Sequence, residues 1–522
     1  MLIKPYVKHK KRYMDMISAG KNILERNKKY EVQVKFMGIK NFQISTAIDY
    51  PSGRFHLGHA YEKICVDVLA RWKRMQGFNV HFSTGTDCHG LKIERAAEKV
   101  GKTPLQFVTE ISSEFKELCK VLNISYDDFI MTTEKRHEKT VIDILNKLKN
   151  KGDIYKGIYE GLYCVDCETF YTEKDLEEGN CPVHKKQCEL VKEETYFFKL
   201  SKYQKKIIES IKKDNLIWPD KKKTEILNRL KEPLRDLSIS RKDVKWGIPL
   251  PFEKNLTVFV WVDALINYLT TIDYPDKKFK NFWPAMHIIG SDIVWHHTAI
   301  WYSILLALGL KLPKVVVHGF INLEGEKLSK ARGITIDPID LTKKYSTDSL
   351  RYFLMRNIPL GHDGDFSESA LKDRHNNELA NKLGNLVSRI AGLCKGKIPK
   401  GTIDSELTSK LRLTNIYGHM NNFETDRALN EIFEFIDACN EYVQQKQPWA
   451  LDGKEKDDVL YSLADSIRII SILLWPFMPS TSEKINSQFG FEKPDIKNVV
   501  FGKTKSAKIK KADILFQKSE KS

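Results

Sequence analysis

The sequence predicts an α/β chain: a Rossmann-like parallel-sheet domain, interrupted by a cysteine-bearing insertion and followed by an α-helical bundle. Three observations carry this. Strand-like apolar runs at 42–48 and 78–83 alternate with helix-period patterns at 60–75 and 91–100. The alternation breaks at a segment holding most of the clustered cysteines, 152–196, and resumes with strand-like runs at 258–262, 287–289 and 315–318. Beyond residue 367 strands give way to long helical periods at 370–393, 425–445 and 459–475.

In chain order, this reads as a basic extension (1–41), a first half of the nucleotide fold (42–130) and a connective insertion (131–250). A second half of the fold (251–366), a helical domain (367–500) and a tail (501–522) follow, the tail loosely ordered apart from an apolar patch at 514–516. The first 40 residues hold eleven Lys or Arg against three acidic residues, suited to solvated charge or to touching RNA. A chain of 522 residues, 42% hydrophobic and 29% charged, has room for about three domains of a globular enzyme. Its longest apolar stretch, 469–479, is too short to span a bilayer and carries two prolines, so no membrane association is expected. A net charge of +17 permits a polyanionic partner, but only 18 of the 85 basic residues are Arg, so the charge does not diagnose one. Nine cysteines, an odd number in a long chain, fit a reducing compartment, the cytoplasm before an organelle.

Two separated tetrapeptides carry the chemistry. His56-Leu57-Gly58-His59 follows a strand and a turn containing Pro51, Ser52 and Gly53, and opens a helix. Two imidazoles then sit where backbone N–H groups and the helix dipole favour an anion, and Gly58 lets a nucleotide approach the backbone. About 270 residues later, Lys327-Leu328-Ser329-Lys330 offers ammonium groups in a loop between Gly325 and Gly333. Either tetrapeptide alone would as often be solvated surface; their order, spacing and flanking elements together point to a nucleotide-phosphate clamp, and no P-loop is present. Cys164-x2-Cys167 and, across 13 intervening residues, Cys181-x2-His184 supply four ligands in two knuckles, a tetrahedral zinc spacing of structural type. Cys188 lies close enough to compete with His184.

These motifs resemble the class I aminoacyl-tRNA synthetases, whose signatures are His-x-Gly-His and Lys-Met-Ser-Lys-Ser; here the second reads Lys-Leu-Ser-Lys-Ala. The cysteine segment, with Tyr163 and Phe170-Tyr171-Thr172-Glu173, is similar to the zinc-bearing insertion of methionyl-tRNA synthetases. So are Thr84-Gly85-Thr86-Asp87, Val260-Trp261-Val262-Asp263-Ala264-Leu265 and Ile289-Gly290-Ser291-Asp292. The resemblance implies that Asp87 holds a substrate ammonium and that Tyr50, Trp261, Ala264, Leu265, Tyr268 and His297 enclose a methionine side chain. Aromatic walls suit a polarizable thioether. It further implies His56 and His59 on the triphosphate, and Lys327 and Lys330 closing over the departing pyrophosphate. Gly290 and Asp292 would bind the ribose, with Glu62 and Arg241 near the nucleotide. ATP enters with Mg2+, for which no ligand residue can be named.

The implied reaction is attack of the methionine carboxylate on the α-phosphate of ATP, giving methionyl-adenylate and pyrophosphate, then transfer to the 3′ end of tRNA(Met). Asn385, Arg389 and Trp449 match anticodon-reading positions, where stacking and base-edge hydrogen bonds would read loop bases. Singly, Trp261, Tyr268 and Trp449 would more often be packing residues. Asp49 and Ser291 depart from the family pattern, and the sequence leaves their effect on the site open. No oligonucleotide-binding module follows residue 500, so a monomer is expected. Alternatives are a noncatalytic tRNA-binding protein with a synthetase body, a small-molecule adenylyltransferase, or a synthetase for cysteine or leucine. The intact histidine pair, lysine loop and Asp87 disfavour the first. The zinc spacing and helical domain disfavour the second, and the pocket motifs the third.

Overall fold

The computed structural model describes residues 40–164, 169–171, 176–182, 185–323, 326–327, 336–511 and 514–519. The basic extension, apart from its last residues, lies outside them. A six-stranded sheet forms the centre, from β1 (Asn41–Thr46), β2 (Asn79–Thr86), β3 (Asp128–Met131), β4 (Ile217–Trp218), β5 (Met286–Gly290) and β6 (Lys314–His318). Its order is β3-β2-β1-β5-β6-β4, and every neighbouring pair is parallel. Parallel strands are covered on both faces, which explains the uninterrupted Val315-Val316-Val317, each at most 1% exposed. The order reverses between β1 and β5, so a crevice opens beyond the carboxyl ends of these two strands. Helix α1 (Leu57–Met75) runs from that crevice back along the sheet.

Two sequence expectations are corrected. The apolar run 258–262 is not a strand of the central sheet: strand Glu253–Val258 pairs antiparallel with Pro249–Leu250 and Ser240–Arg241, and Val260–Leu265 is helical. A short apolar run has no period of its own, so tertiary context chooses its form. Conversely, β4 falls within the stretch read as insertion yet completes the central sheet. Trp218 there packs edge-on against Phe423, ring centroids 5.3 Å apart, and against Gly361. Gly361 has φ +92°, and a Cβ there would sit 2.8 Å from the Trp218 ring, so only glycine fits.

The insertion is built on a long antiparallel pair, Ile154–Cys164 with Glu189–Phe198, flanked by Thr169–Tyr171 and Leu237–Ser238. After α2 (Thr347–Asn357), the chain is mostly helical: Glu368–Arg374, His375–Gly384, α3 (Asn385–Leu393), α4 (Thr425–Lys446), α5 (Gly453–Leu474) and α6 (Pro479–Phe489). One continuous core joins α1, α2 and these helices; a second joins the insertion to the sheet's other face. The described part of the tail is docked rather than loose. Phe516 is buried, His375 Nε2 donates to the Gln517 carbonyl (2.7 Å), and the Ser519 N–H donates to Asn376 (3.0 Å). Among the described residues no helix is long and apolar enough to cross a membrane.

Candidate active site

His56 is the N-cap of α1, and its Nδ1 accepts from the Gly58 N–H at 3.1 Å. The His56 N–H in turn donates to His59 Nδ1 at 3.0 Å. The two histidines therefore cap the helix reciprocally, as a Ser and a Glu do in the usual capping box. Because each neutral ring accepts at Nδ1, its hydrogen resides on Nε2, so each retains an Nε2–H donor. The rings lie 3.9 Å apart and share a helix N-terminus that already favours anions. Gly58 is required here: a Cβ would stand 2.9 Å from the His56 ring. The edge of Phe115 against His59, 5.2 Å between centroids, fixes the second ring from behind.

Across the crevice, the ends of β5 and β6 build a polar corner. Gly290 ends β5, and a Cβ on it would fall 2.7 Å from Asp292 Oδ1, so glycine lets that carboxylate fold back over the strand end. Ser291 Oγ donates to the His318 carbonyl at 2.8 Å, which gives this departing residue a bracing role. His318, the last residue of β6, hydrogen-bonds through Nε2 to Glu62 on α1 (3.0 Å), while Nδ1 donates to the Gly319 carbonyl (2.8 Å). Burial lowers the His318 pKa, but the Glu62 carboxylate, the Gly319 carbonyl and the Asp292 charge together outweigh it and hold the imidazole above its ordinary value. His318 was not singled out in the sequence; its position directly after the Val315–Val317 run, at a strand's carboxyl end, was the available signal.

Between these corners lies an aromatic pocket. Tyr268, Ala264, Leu265 and His297 are all buried, and Trp261 is half-buried, its ring stacked on His296 at 3.7 Å. Hydrogen-bond logic fixes the histidines. His297 Nδ1 donates to the Ile293 carbonyl (2.9 Å), so Nε2 must accept from the Tyr268 hydroxyl (2.7 Å). Trp301 can only donate, so His287 Nε2 accepts from it (3.2 Å) and His287 Nδ1 donates to Ser45 (2.8 Å). Both rings are neutral, and burial pushes His297 down to about 4 and His287 well below its ordinary value. On the other wall the Tyr50 hydroxyl donates to the His89 carbonyl (2.9 Å), and the His89 ring and His137 grip the buried Asp263 carboxylate, each at 2.7 Å. Asp87, 8% exposed, follows β2 directly.

Two sequence comparisons and one structural comparison fit this arrangement. A family model described as tRNA synthetases class I (M) matches residues 42–189 and 171–391, and one described as anticodon-binding domain of tRNA ligase matches 407–518. The methionine–tRNA ligase of Caldanaerobacter subterraneus is 42% identical over 502 residues, covering 91% of this chain and 78% of that protein. That of Bacillus subtilis is 39% identical, covering 92% and 78%. The chain belongs to the methionyl-tRNA synthetase family. Mycobacterium tuberculosis methionyl-tRNA synthetase in complex with methionyl-adenylate superimposes with a TM-score of 0.88 at 33% identity, covering 92% of this chain and all of that one.

Measured against a methionyl-tRNA synthetase, the remaining candidates fall into three groups. Asn385 and Arg389 lie one turn apart on α3, and the Arg389 guanidinium sits 4.8 Å over the ring of Trp449, which is 46% exposed. Sixty residues of sequence separate Arg389 from Trp449, and the fold brings them together. Arg241 is buried; its Nη1 donates to the Ser240 carbonyl (2.7 Å) and to Ser238 Oγ (3.0 Å), and its plane lies 4.2 Å from the Phe259 ring. In the lysine loop, Glu326–Lys327 pairs with Ile321–Leu323, whereas Leu328, Ser329 and Lys330 lie outside the described residues.

Cys167 and His184 also lie outside the described residues. Cys164, Cys181 and Cys188 pack as a buried sulfur cluster with Leu162 and Leu176, and burial with the two neighbouring sulfurs pushes the Cys188 thiol up to about 11. Among the described residues no three His, Cys, Asp or Glu side chains are arranged as a metal centre. Clustered buried thiols are nonetheless the donor chemistry that zinc takes.

Proposed function

We propose that this methionine–tRNA ligase activates methionine with ATP and passes it to tRNA(Met) through the residues just described. Asp87 holds the methionine ammonium, while Tyr50, Trp261, Ala264, Leu265, Tyr268 and His297 enclose the thioether. The methionine carboxylate then attacks the α-phosphate in line, and pyrophosphate leaves. His56 and His59 aim Nε2–H donors at the triphosphate and stabilise its developing charge. Lys327 and Lys330 neutralise the leaving pyrophosphate with their ammonium groups. Asp292 accepts from the ribose hydroxyls, with Gly290 making room and the Glu62–His318 pair bracing the corner. Arg241 acts near the nucleotide. The reciprocal histidine cap is the observation that carries this reading, because it fixes the ring tautomers that phosphate binding needs.

Asn385, Arg389 and Trp449 read the anticodon, the stacked guanidinium and indole offering two flat faces to loop bases. Cys164, Cys167, Cys181 and His184, with Cys188 as a competing thiol, would hold one structural zinc, which would supply cross-linking of the insertion and no reaction chemistry. The protein acts as a monomer in the cytoplasm. Sedimentation at twice 60.5 kDa would overturn the first part of that statement.

The test is pyrophosphate exchange into ATP by purified protein, with each of the twenty amino acids in turn and without tRNA. Exchange with methionine alone is the expected result. Absence of exchange with any amino acid, from folded protein, would replace this reading with that of a noncatalytic tRNA-binding protein.

A further inference from the structure

A charged pair that no part of the reaction above uses lies beneath the candidate site. Lys63 sits on α1, one turn after His59 and on the same face, and its side chain is fully buried. Its ammonium pairs with the carboxylate of Asp49, itself only 9% exposed, on the segment leaving β1. Asp49 is one of the two residues that depart from the family pattern, and Lys63 is its counter-charge.

The backbone of Asp49 is equally committed. Its N–H donates to the Gly85 carbonyl (2.8 Å), and its carbonyl accepts from the N–H of Asp87 (2.8 Å), extending the β1–β2 pairing beyond both strands. Tyr50 is the next residue in the chain. On the other side, the Lys63 ammonium lies 5.8 Å from the centre of the Phe115 ring, whose edge meets His59. One contact thus joins the backbone that bears Tyr50 and Asp87 to the helix that bears His56 and His59.

Packing alone does not explain such a pair. Buried ion pairs are often no more stabilising than apolar side chains of similar volume, because both charges must leave water. What a charge pair adds is a directional requirement: the two elements must be in one register for either charge to be tolerated. The Asp49 carboxylate keeps the Lys63 ammonium charged despite burial, so the requirement holds at neutral pH.

We propose that Asp49 and Lys63 are positioning residues that lock the amino-acid pocket to the phosphate-binding helix, so that the methionine carboxylate and the α-phosphate meet in register. The proposal rests on the function assigned above. Its test therefore includes a readout independent of activity.

The experiment compares the full chain with Lys63→Met, Asp49→Leu and the double variant, following Tm, exchange kinetics with methionine and ATP, and amide hydrogen exchange at Asp49 and Asp87. Each single variant strands a buried charge and lowers Tm. The double variant recovers most of that Tm, yet its kcat for exchange stays at least tenfold low with KM for methionine raised, and protection of the Asp49 and Asp87 amides falls. Recovery of Tm, kinetics and protection together in the double variant would reduce the pair to space-filling and overturn the proposal. Should the double variant not fold, Lys63→Arg keeps the charge and shifts the contact. A tenfold kcat loss at near-parental Tm supports the proposal, and parental kinetics overturns it. If the parental protein performs no exchange, the ligase reading fails while amide protection still decides the pair.

Discussion

Helix α1 carries two buried ion clusters one turn apart, and they are built differently. Lys63 meets a single carboxylate. Asp67, wholly buried, accepts four hydrogen bonds: from Arg71 (2.8 Å), Arg351 (2.6 Å), and the backbone N–H (2.7 Å) and hydroxyl (2.5 Å) of Ser125. Arg351 on α2 then reaches the carbonyls of Leu122 (3.0 Å), Pro476 (2.9 Å) and Phe477 (2.9 Å), the last two between α5 and α6. The Asp67 cluster staples the catalytic helix to the helical domain and satisfies nearly every polar atom it buries, as structural networks must. The Lys63 pair lies under the chemistry. The helix is therefore anchored to the helical domain through Asp67 and, one turn earlier, locked to the amino-acid pocket through Lys63 on the side that faces the substrates.

The largest effect expected from this contrast is on stability at the anchored end. Arg351→Met leaves Asp67 with half its charge partners and three carbonyls without their donor, a loss of about 3–5 kcal/mol. Denaturant unfolding measures it, and a loss no greater than that of Lys63→Met would break the comparison. At the facing end the expected effect is kinetic. His59→Ala removes one preorganised donor and should lower kcat for exchange by about 10²–10³-fold. Its stability cost is that of a helix cap, about 1 kcal/mol. A kcat within threefold of the parent would remove His59 from the phosphate site.

Legibility in the sequence followed the same division. The strand–turn–helix around His56 and His59 was readable because its residues are local, and Gly58 stands between two rings that need it. The anchored cluster was invisible, since Asp67, Ser125 and Arg351 come from three distant segments and a lysine or arginine in a helix normally reads as surface. Strand β4 was hidden for a related reason: two residues, Ile217 and Trp218, carry no period, and their partners, Val315 and Val316 in the sheet and Phe423 and Gly361 against the Trp218 ring, come from distant segments. The Arg389–Trp449 stack could be named residue by residue from resemblance, but not as a contact. His318 had a positional signal only.

A smaller effect is expected far from α1. Trp449→Ala removes a stacking face, costing about 1–3 kcal/mol per base, so KM for tRNA should rise about 5- to 150-fold. Methionine-dependent exchange without tRNA should be unchanged. Loss of exchange in this variant would mean that the helical domain communicates with the site through the Asp67 staple, and would join the two regions that the comparison separates.

The gentlest test uses pH, and sets the charged clusters of α1 against the neutral pocket floor. His297, pushed down to about 4, and His287, also lowered by burial, are uncharged in the folded chain, whereas an unfolded histidine titrates near 6.5. Between these values the unfolded state binds more protons, so stability is full above about pH 6.5 and falls as pH drops toward 4, by up to about 1.4 kcal/mol per pH unit for each ring. His318 has the opposite sign: its raised value stabilises the fold at low pH, and that contribution is lost as pH rises through its folded value. His296, lowered to about 3, and His81 shift in the same direction, so the buried histidines together govern the window from 6.5 to 5, above the range where most carboxylates protonate. Thermal unfolding across that window should give a falling Tm in the parent and a flatter profile in His297→Gln, which keeps a polar partner for Tyr268 but cannot take up a proton. Identical slopes in the two proteins would mean that His297 is already charged in the fold, and that the Tyr268 hydroxyl accepts rather than donates.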